Sequence, residues 1–334
     1  MLITETGQAC VYKRVKRTFV FEGVRQLGIT MGIVSLVLIV FGLVLFETIT
    51  SIDNAIINAQ VLSTMQTWAR RWFLCWGLLI AVFVVRGLLP WLIVWAAVPS
   101  LGPIGALMST FSGDAAVVAA IEKAAPVLLI GGGTFLVFLF FHWLLAEEKN
   151  FGLVGEAFFQ RQGGWFFTIV AVLLAFLVWF ALQRNPMMAF GAVVGSAAFF
   201  VTHGFRAHAE RAEKDLLKSQ LSDWSKILYL EVIDATFSID GVLGAFAFTM
   251  SVPLILLGNG LGALVVRQLT VGNVERIKKY LYLKNGAMYS ILCLGLFMVM
   301  ESFGVHVPIW VSPLTTFGVV GFFFLKSRTA LRNT

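Results

Sequence analysis

Glu47-Thr-Ile-Thr-Ser51-Ile-Asp53-Asn54 and Asp234-Ala-Thr-Phe-Ser238-Ile-Asp240-Gly241 are one signature written twice: a carboxylate, three residues, then Ser-Ile-Asp. Each copy lies inside a long apolar run. A carboxylate in hydrocarbon costs about 2.5–3.5 kcal/mol on insertion scales, so such a residue marks a functional site. Two of them, at the same spacing in each half of the chain, point to a carrier built from two repeats around a shared cation site.

The surrounding composition fits a membrane. Of 334 residues, 59% are apolar and 13% charged, and the mean hydropathy is +0.87. Apolar runs lie at about 27–42, 43–64, 73–98, 125–146, 165–182, 187–204, 228–250, 252–270, 283–303 and 309–325. Each is near the ~20 residues that cross a bilayer. The fold class read from them is all-α, a polytopic transmembrane helical bundle of nine to ten spans. The first two runs are contiguous, either one long tilted helix or two spans with a tight turn near Gly42. Lys/Arg clusters occupy 13–25, 70–71, 205–226, 275–284 and the end of the chain at Lys326, Arg328 and Arg332. Ten spans place all of them on the cytoplasmic side; nine turn the basic N-terminus outward. Ten spans, a turn near Gly42 and both termini cytoplasmic are therefore expected, in a multi-pass protein of the cell membrane.

The net charge of +7 resides in those short loops, which argues against a nucleic-acid partner. The first apolar run is too long for a cleaved signal core. Cys10, Cys75 and Cys293 are too scattered for a metal site or a disulfide framework. The organisation read from these features is a cytoplasmic segment 1–26, one transmembrane domain 27–328 and a tail 329–334. Within the domain, repeat one covers about 43–152, linking helices and a charged cytoplasmic segment about 165–226, repeat two about 228–304, and a last span about 309–325. The Pro/Gly/Ser-rich segment 99–124 reads as an external loop.

The repeat extends past the acidic motif. Ala81-Val-Phe-Val-Val-Arg86 follows the first copy and Gly262-Ala-Leu-Val-Val-Arg267 the second. Glu148-Lys-Asn-Phe-Gly152 and Glu301-Ser-Phe-Gly304 close a third pair of spans. Three helices thus recur as a block, and five spans between equivalent helices make the repeats inverted.

On a straight helix, residues six apart differ by about 240°, so Glu47 and Asp53 do not share a face. The same holds for Asp234 and Asp240. Either the helix unwinds at Ser-Ile-Asp or each acid meets a different neighbouring helix. Ser51, Asn54 and Asn58 share a stripe with Glu47, and Glu231 lies one turn before Asp234. The ligands on offer are carboxylate, hydroxyl and amide oxygens, the set for hard cations such as Mn²⁺, Ca²⁺ and Mg²⁺. Five acids against Arg86 and Arg267 leave three negative charges, enough for a divalent ion and a proton. His142 and His203 sit near span ends without acid partners in the sequence, and Glu147, Glu148 and Lys149 read as interfacial. The run Gly131-Gly132-Gly133 reads as close helix packing, not a phosphate loop.

These residues resemble the TerC family of integral membrane proteins, of the LysE superfamily of exporters. The stretches Phe46–Leu62, Val82–Leu89 and Glu231–Tyr289 are similar to a bacterial branch known mainly as a domain of unknown function. The resemblance implies export of divalent cations, chiefly Mn²⁺, and an association with tellurite and other stress resistance. It matches at Glu47, Ser51, Asp53 and Asn54, and at Glu231, Asp234, Phe237, Ser238 and Asp240. It departs at Gly241, where many members have Ser.

The expected metal site is therefore Glu47, Asp53, Asp234 and Asp240, supported by Ser51, Asn54, Ser238 and Glu231, with Arg86 and Arg267 as charge partners or gates. No cofactor and no catalysis are expected, since no nucleophile or cofactor motif accompanies the acids. The partners expected are the bilayer and the transported ion, with stress-resistance proteins at the cytoplasmic face and a second copy of the chain also open. The alternative function is a membrane scaffold for a stress-resistance complex, docking through 205–226 and transporting nothing.

Overall fold

The computed structural model describes residues 32–77, 79–80, 84, 86–109, 115–218, 222–272 and 279–332. The expected cytoplasmic segment 1–26 lies outside them, as does most of the Arg86-proximal stretch 81–85. All regular structure among the described residues is helical. The elements are α1 (Gly32–Thr50), α2 (Ile52–Ser63), α3 (Thr67–Trp72), a π-helical segment (Phe73–Gly77) and α4 (Arg86–Ala97). There follow α5 (Gly102–Ser109), α6 (Ala115–Ala146), α7 (Glu156–Gln160), α8 (Phe166–Leu182), α9 (Pro186–Lys218) and α10 (Asp223–Ala245). The chain closes with α11 (Val252–Gly272), α12 (Leu283–Ser302) and α13 (Val311–Arg332).

Six described helical stretches are long and apolar enough to cross a membrane: Gly32–Thr50, Lys123–Ala146, Gly163–Leu182, Pro186–Arg206, Val252–Thr270 and Leu283–Ser302. The other expected spans do not meet that measure among the described residues. Helix α10 carries Glu231, Asp234 and Asp240, and α3 to α4 is broken by the π segment and holds Pro90.

The expected turn near Gly42 is absent. Helix α1 runs through that position, because Gly42 serves a close contact instead of a bend. A Cβ there would lie 2.9 Å from Phe248 and 3.0 Å from Pro313. The interruption comes at Ser51 (φ −90°, ψ 5°). It is a kink and not an unwound stretch, since the Ser51 N–H still donates to the Glu47 carbonyl (3.1 Å) and the Ala55 N–H to the Ser51 carbonyl (2.9 Å). The expected external loop 99–124 is also partly helical. Its Ala-rich second half, strong in helix propensity, forms the first turns of α6.

Helix α6 is the centre of the bundle, packed between α9 and α12, with α8 outside α9 and α13 outside α12. The three consecutive glycines make this possible. A Cβ on Gly131 would lie 2.9 Å from the Gly191 carbonyl of α9, and one on Gly133 would lie 2.8 Å from the Gly295 carbonyl of α12. Small residues at such crossings let helix backbones approach where lipid gives no hydrophobic drive. Helix α8 turns Phe167, Phe176, Trp179 and Phe180 outward, as a lipid-facing helix does.

Each helix of repeat one packs antiparallel on its counterpart in repeat two. Gly42 meets Phe248 at one end of the α1–α2/α10 pair, and Thr64 accepts from Lys226 Nζ at the other. Cys75 lies against Arg267 and Gly87 against Leu256. Gly133 lies against Gly295, Trp143 against Tyr289, and the Asn150 carbonyl accepts from Asn285. Three antiparallel pairs of equivalent helices are the geometry that inverted repeats produce.

The chain after α6 is tied to this frame by Glu156, a buried residue that the sequence reading passed over. Its carboxylate accepts from the Gly152 N–H (2.7 Å), the Leu153 N–H (3.0 Å), Asn285 Nδ2 (3.0 Å) and the Tyr289 hydroxyl (3.0 Å). Lys149 donates to the Trp143 and Leu144 carbonyls, closing the C-terminus of α6 as a basic residue does.

Candidate cation site

The ten residues predicted for the site divide into three groups. The first surrounds Glu47, which is 1% exposed. Arg86 Nη1 lies 2.8 Å from its Oε1, and the Ser51 hydroxyl donates to the same oxygen at 2.6 Å. Arg86 Nε also donates to Ser238 Oγ of the second copy at 3.1 Å. Arg86 is thus a charge partner that joins the two repeats. Gly241 explains how Glu47 fits. A Cβ there would lie 2.6 Å from Glu47 Oε2, and one on Gly262 would lie 2.6 Å from Glu47 Cβ. The residue that departs from the TerC pattern is the one that leaves room for this carboxylate.

The second group lines a cavity of about 50 Å³ toward the Thr64 and Lys226 end of the pair. That volume holds a few waters or an ion with part of its hydration shell. Glu231, Asp234, Asn58, Arg86 and Arg267 lie in its wall, with Phe73, Leu74 and Gly77 of the π segment opposite. π-Bulges recur at functional sites because they displace side chains from the regular helical stripe. Asn54 donates to Asp234 Oδ1 across the repeats. Arg267 does not mirror Arg86: its guanidinium lies 3.8 Å from Cys75 Sγ.

The third group is paired with cations of other helices. Asp53 pairs with Lys284 of α12 (2.8 Å), and Asp240 with Arg206 of α9. The six-residue spacing has its expected consequence: within each copy the two acids meet different neighbouring helices. Asp53 and Asp240 therefore do not converge on Glu47 and Asp234. Among the described residues no three His, Cys, Asp or Glu side chains form a group able to hold a metal ion.

The motif helices also carry a set of orphaned acceptor atoms. Glu47 Oε2, Glu231 Oε1, Asp234 Oδ2, Asp240 Oδ1, Asn54 Oδ1 and Asn58 Oδ1 are buried and have no hydrogen-bond partner among the described residues. Buried acceptors are nearly always satisfied, and three of these six residues, Glu231, Asp234 and Asn58, line the cavity. Asn259, fully buried on α11 with both amide atoms unpartnered, shares the helical stripe of Gly262, Ala263 and Val266. Its signal in the sequence is an amide between Gly258 and Gly260 in an otherwise apolar helix. Lys284, Arg206 and Glu156 were also missed; Lys284 and Arg206 are distant in sequence from the acids they bind, and Glu156 from two of its four donors.

Outside the spans, burial pushes the Glu147 carboxyl up, but His142 and Lys284 outweigh it and hold the group well below the ordinary carboxylate range. Lys284 Nζ lies 2.9 Å from Glu147 Oε2 and His142 Nδ1 lies 3.5 Å from Oε1. His142, read from sequence as lacking an acid, has one five residues along.

Comparison with known proteins places this geometry in a family. The chain is 32% identical over 85 residues to the uncharacterized membrane protein YceF of Bacillus subtilis (strain 168). The match spans 25% of this chain and 33% of that protein. No solved structure matches. The profile of DUF475, described as a protein of unknown function, matches residues 52–334, including Asp53, Asn54, Arg86 and the whole second motif. The chain, a multi-pass helical membrane protein, belongs to the DUF475 family.

Proposed function

We propose that this protein carries a hard divalent cation across the cell membrane, with Mn²⁺ the favoured ion and Ca²⁺ or Mg²⁺ its competitors. The observation that carries the reading is the set of six buried, unpartnered acceptor oxygens on the motif helices, three of whose residues line the cavity. Acceptors without donors are what a cation takes and an anion refuses. The ion is the substrate, held by Glu231, Asp234, Asn54 and Asn58, with Glu47 at the inner end. A site of two carboxylates and amides, rather than three or more acids, binds loosely enough to release its cargo.

The antiparallel repeats supply the moving parts. Arg86 bridges Glu47 and Ser238, while the equivalent Arg267 stands apart from Asp234. Alternating access exchanges these roles, so that Arg267 closes on Asp234 when Arg86 leaves Glu47. Basic residues at the cavity end, Arg70 and Lys226, face the cytoplasm by the positive-inside rule; export is the direction we propose, on the likeness to TerC proteins. The likeness to TerC proteins supports Mn²⁺, and the excess of acids over Arg86 and Arg267 supports coupling to protons.

The test is Mn²⁺ flux in proteoliposomes of the whole protein, against an E231Q/D234N variant. Flux that vanishes in the variant upholds the reading. A folded parent that moves none of Mn²⁺, Ca²⁺ or Mg²⁺ overturns it.

A further inference from the structure

Two imidazoles that the cation site does not use meet at the opposite face of the motif helices. His142 of α6 and His203 of α9 have ring centroids 4.1 Å apart. Phe166 and Phe199 flank them, at 5.3 Å from His142 and 5.8 Å from His203. A chain of charges leads away on each side. From His142 it runs to Glu147, then Lys284, then Asp53 of the first motif. One turn along α9 from His203, Arg206 binds Asp240 of the second motif. The Asp53 side chain is 40% exposed and Lys284 36%, so this end is open to water or headgroups, while His142 is 14% exposed.

Arg206 pairs with Asp240, and Glu147 and Asp53 share the ammonium of Lys284. Lys149 also lies near Glu147 and donates to the carbonyls that close α6. The side chains here able to gain a positive charge are the imidazoles, a group whose ordinary titration falls at physiological pH. Rings in contact do not both charge, because like charges oppose each other. The pair therefore takes one proton between them.

We infer that His142 and His203 form a one-proton binding site, separate from the oxygen cavity, whose protonation decides how Lys284 is divided between Glu147 and Asp53. The proton comes from water at the exposed end and rests on an imidazole nitrogen; no bond to carbon changes. A cationic His142 draws the Glu147 carboxylate into a charge-assisted pair and releases Lys284 toward Asp53. Asp53 is adjacent on α2 to Asn54, which holds Asp234. The proton site thereby reaches the cation site through one turn of helix. Where the proton binds is independent of the transport reading; what it does rests on that reading.

The experiment is a ¹⁵N-histidine NMR titration of the full-length protein in nanodiscs, from about pH 8 to about pH 5. Signals are assigned by their loss in H142Q and H203Q. A coupled titration of one proton across the pair, which the loss of either ring in H142Q or H203Q abolishes, upholds the site. Two independent one-proton titrations overturn it, whatever the flux shows. If H142Q fails to fold, E147Q keeps both rings and should lower the pH at which the pair takes its proton; an unchanged titration overturns the link to Glu147. In parallel, Mn²⁺ flux in proteoliposomes is followed with an internal pH dye. Parent flux coupled to proton counterflow, and H142Q/H203Q flux that no longer responds to pH, uphold the coupling. The same pH response in both overturns it. A parent without flux defeats the transport reading alone, because the NMR titration still decides the proton site.

Discussion

Replacing Arg86 by Met isolates what holds the two repeats together. Arg86 and Glu47 are 3% and 1% exposed and 2.8 Å apart. Removing one partner of such a pair leaves a buried charge without compensation, which costs about 3–5 kcal/mol. Replacing both with groups of similar volume is often close to neutral. The E47Q/R86M double variant keeps an acceptor for the Ser51 hydroxyl and leaves no charge behind. R86M should therefore lose about 3–5 kcal/mol, and the double variant should recover about 2 kcal/mol or more of it. The assay is reversible unfolding in mixed micelles, with E47Q completing the cycle. If R86M and the double variant are equally stable, Arg86 does not compensate Glu47 and the charge argument fails. Mn²⁺ flux in the same variants separates stability from transport: the double variant should be folded and inactive.

Three further outcomes follow from contacts described above. G241A sets a Cβ 2.6 Å from Glu47 Oε2, on a carboxylate already fixed by Arg86 and Ser51; it should lose about 1–3 kcal/mol and slow transport, measured by unfolding and flux together. E156Q removes the charge from four hydrogen bonds and should cost about 1.5–3 kcal/mol, with faster proteolysis between residues 147 and 165 as its sign. K284M should shift the acid limb of the stability profile. The Glu147 carboxyl is held below its ordinary value of 4.5, so its contribution is complete above that pH and lost as the pH falls through the folded value. Without Lys284 the folded value rises, and the loss should begin at higher pH.

The bundle was legible because apolar runs near bilayer length have few alternatives. The repeat was legible because its acids are expensive in lipid and recur at a fixed spacing. For Asp53 and Glu47 helix geometry left two outcomes open, an unwound helix or separate neighbouring helices, and the packing takes the second. The turn near Gly42 was misread because a glycine marks both bends and close contacts, and sequence does not say that Phe248 and Pro313 wait against it. Lys284 and Arg206 looked like ordinary loop-side cations. Their pairing with Asp53 and Asp240 depends on which helices α6 gathers around it, a property of the tertiary packing. Glu156 was invisible for the same reason: half of its donors come from α12, more than a hundred residues away.

Asn54 and Gly241 hold the same place in the two copies. Asn54 reaches across to Asp234, the leading acid of the other repeat, while Gly241 faces Glu47 and offers it no donor. A carrier with identical halves would have two end states of equal energy, each the exchange of the other. One unlike position lifts that degeneracy. Asp234 keeps a neutral amide and can wait for cargo, whereas Glu47, given only space, takes the arginine. On the carrier reading, the residue after each Ser-Ile-Asp thus sets which side of the membrane the empty protein favours, and exchanging the two, N54G with G241N, should reverse that preference.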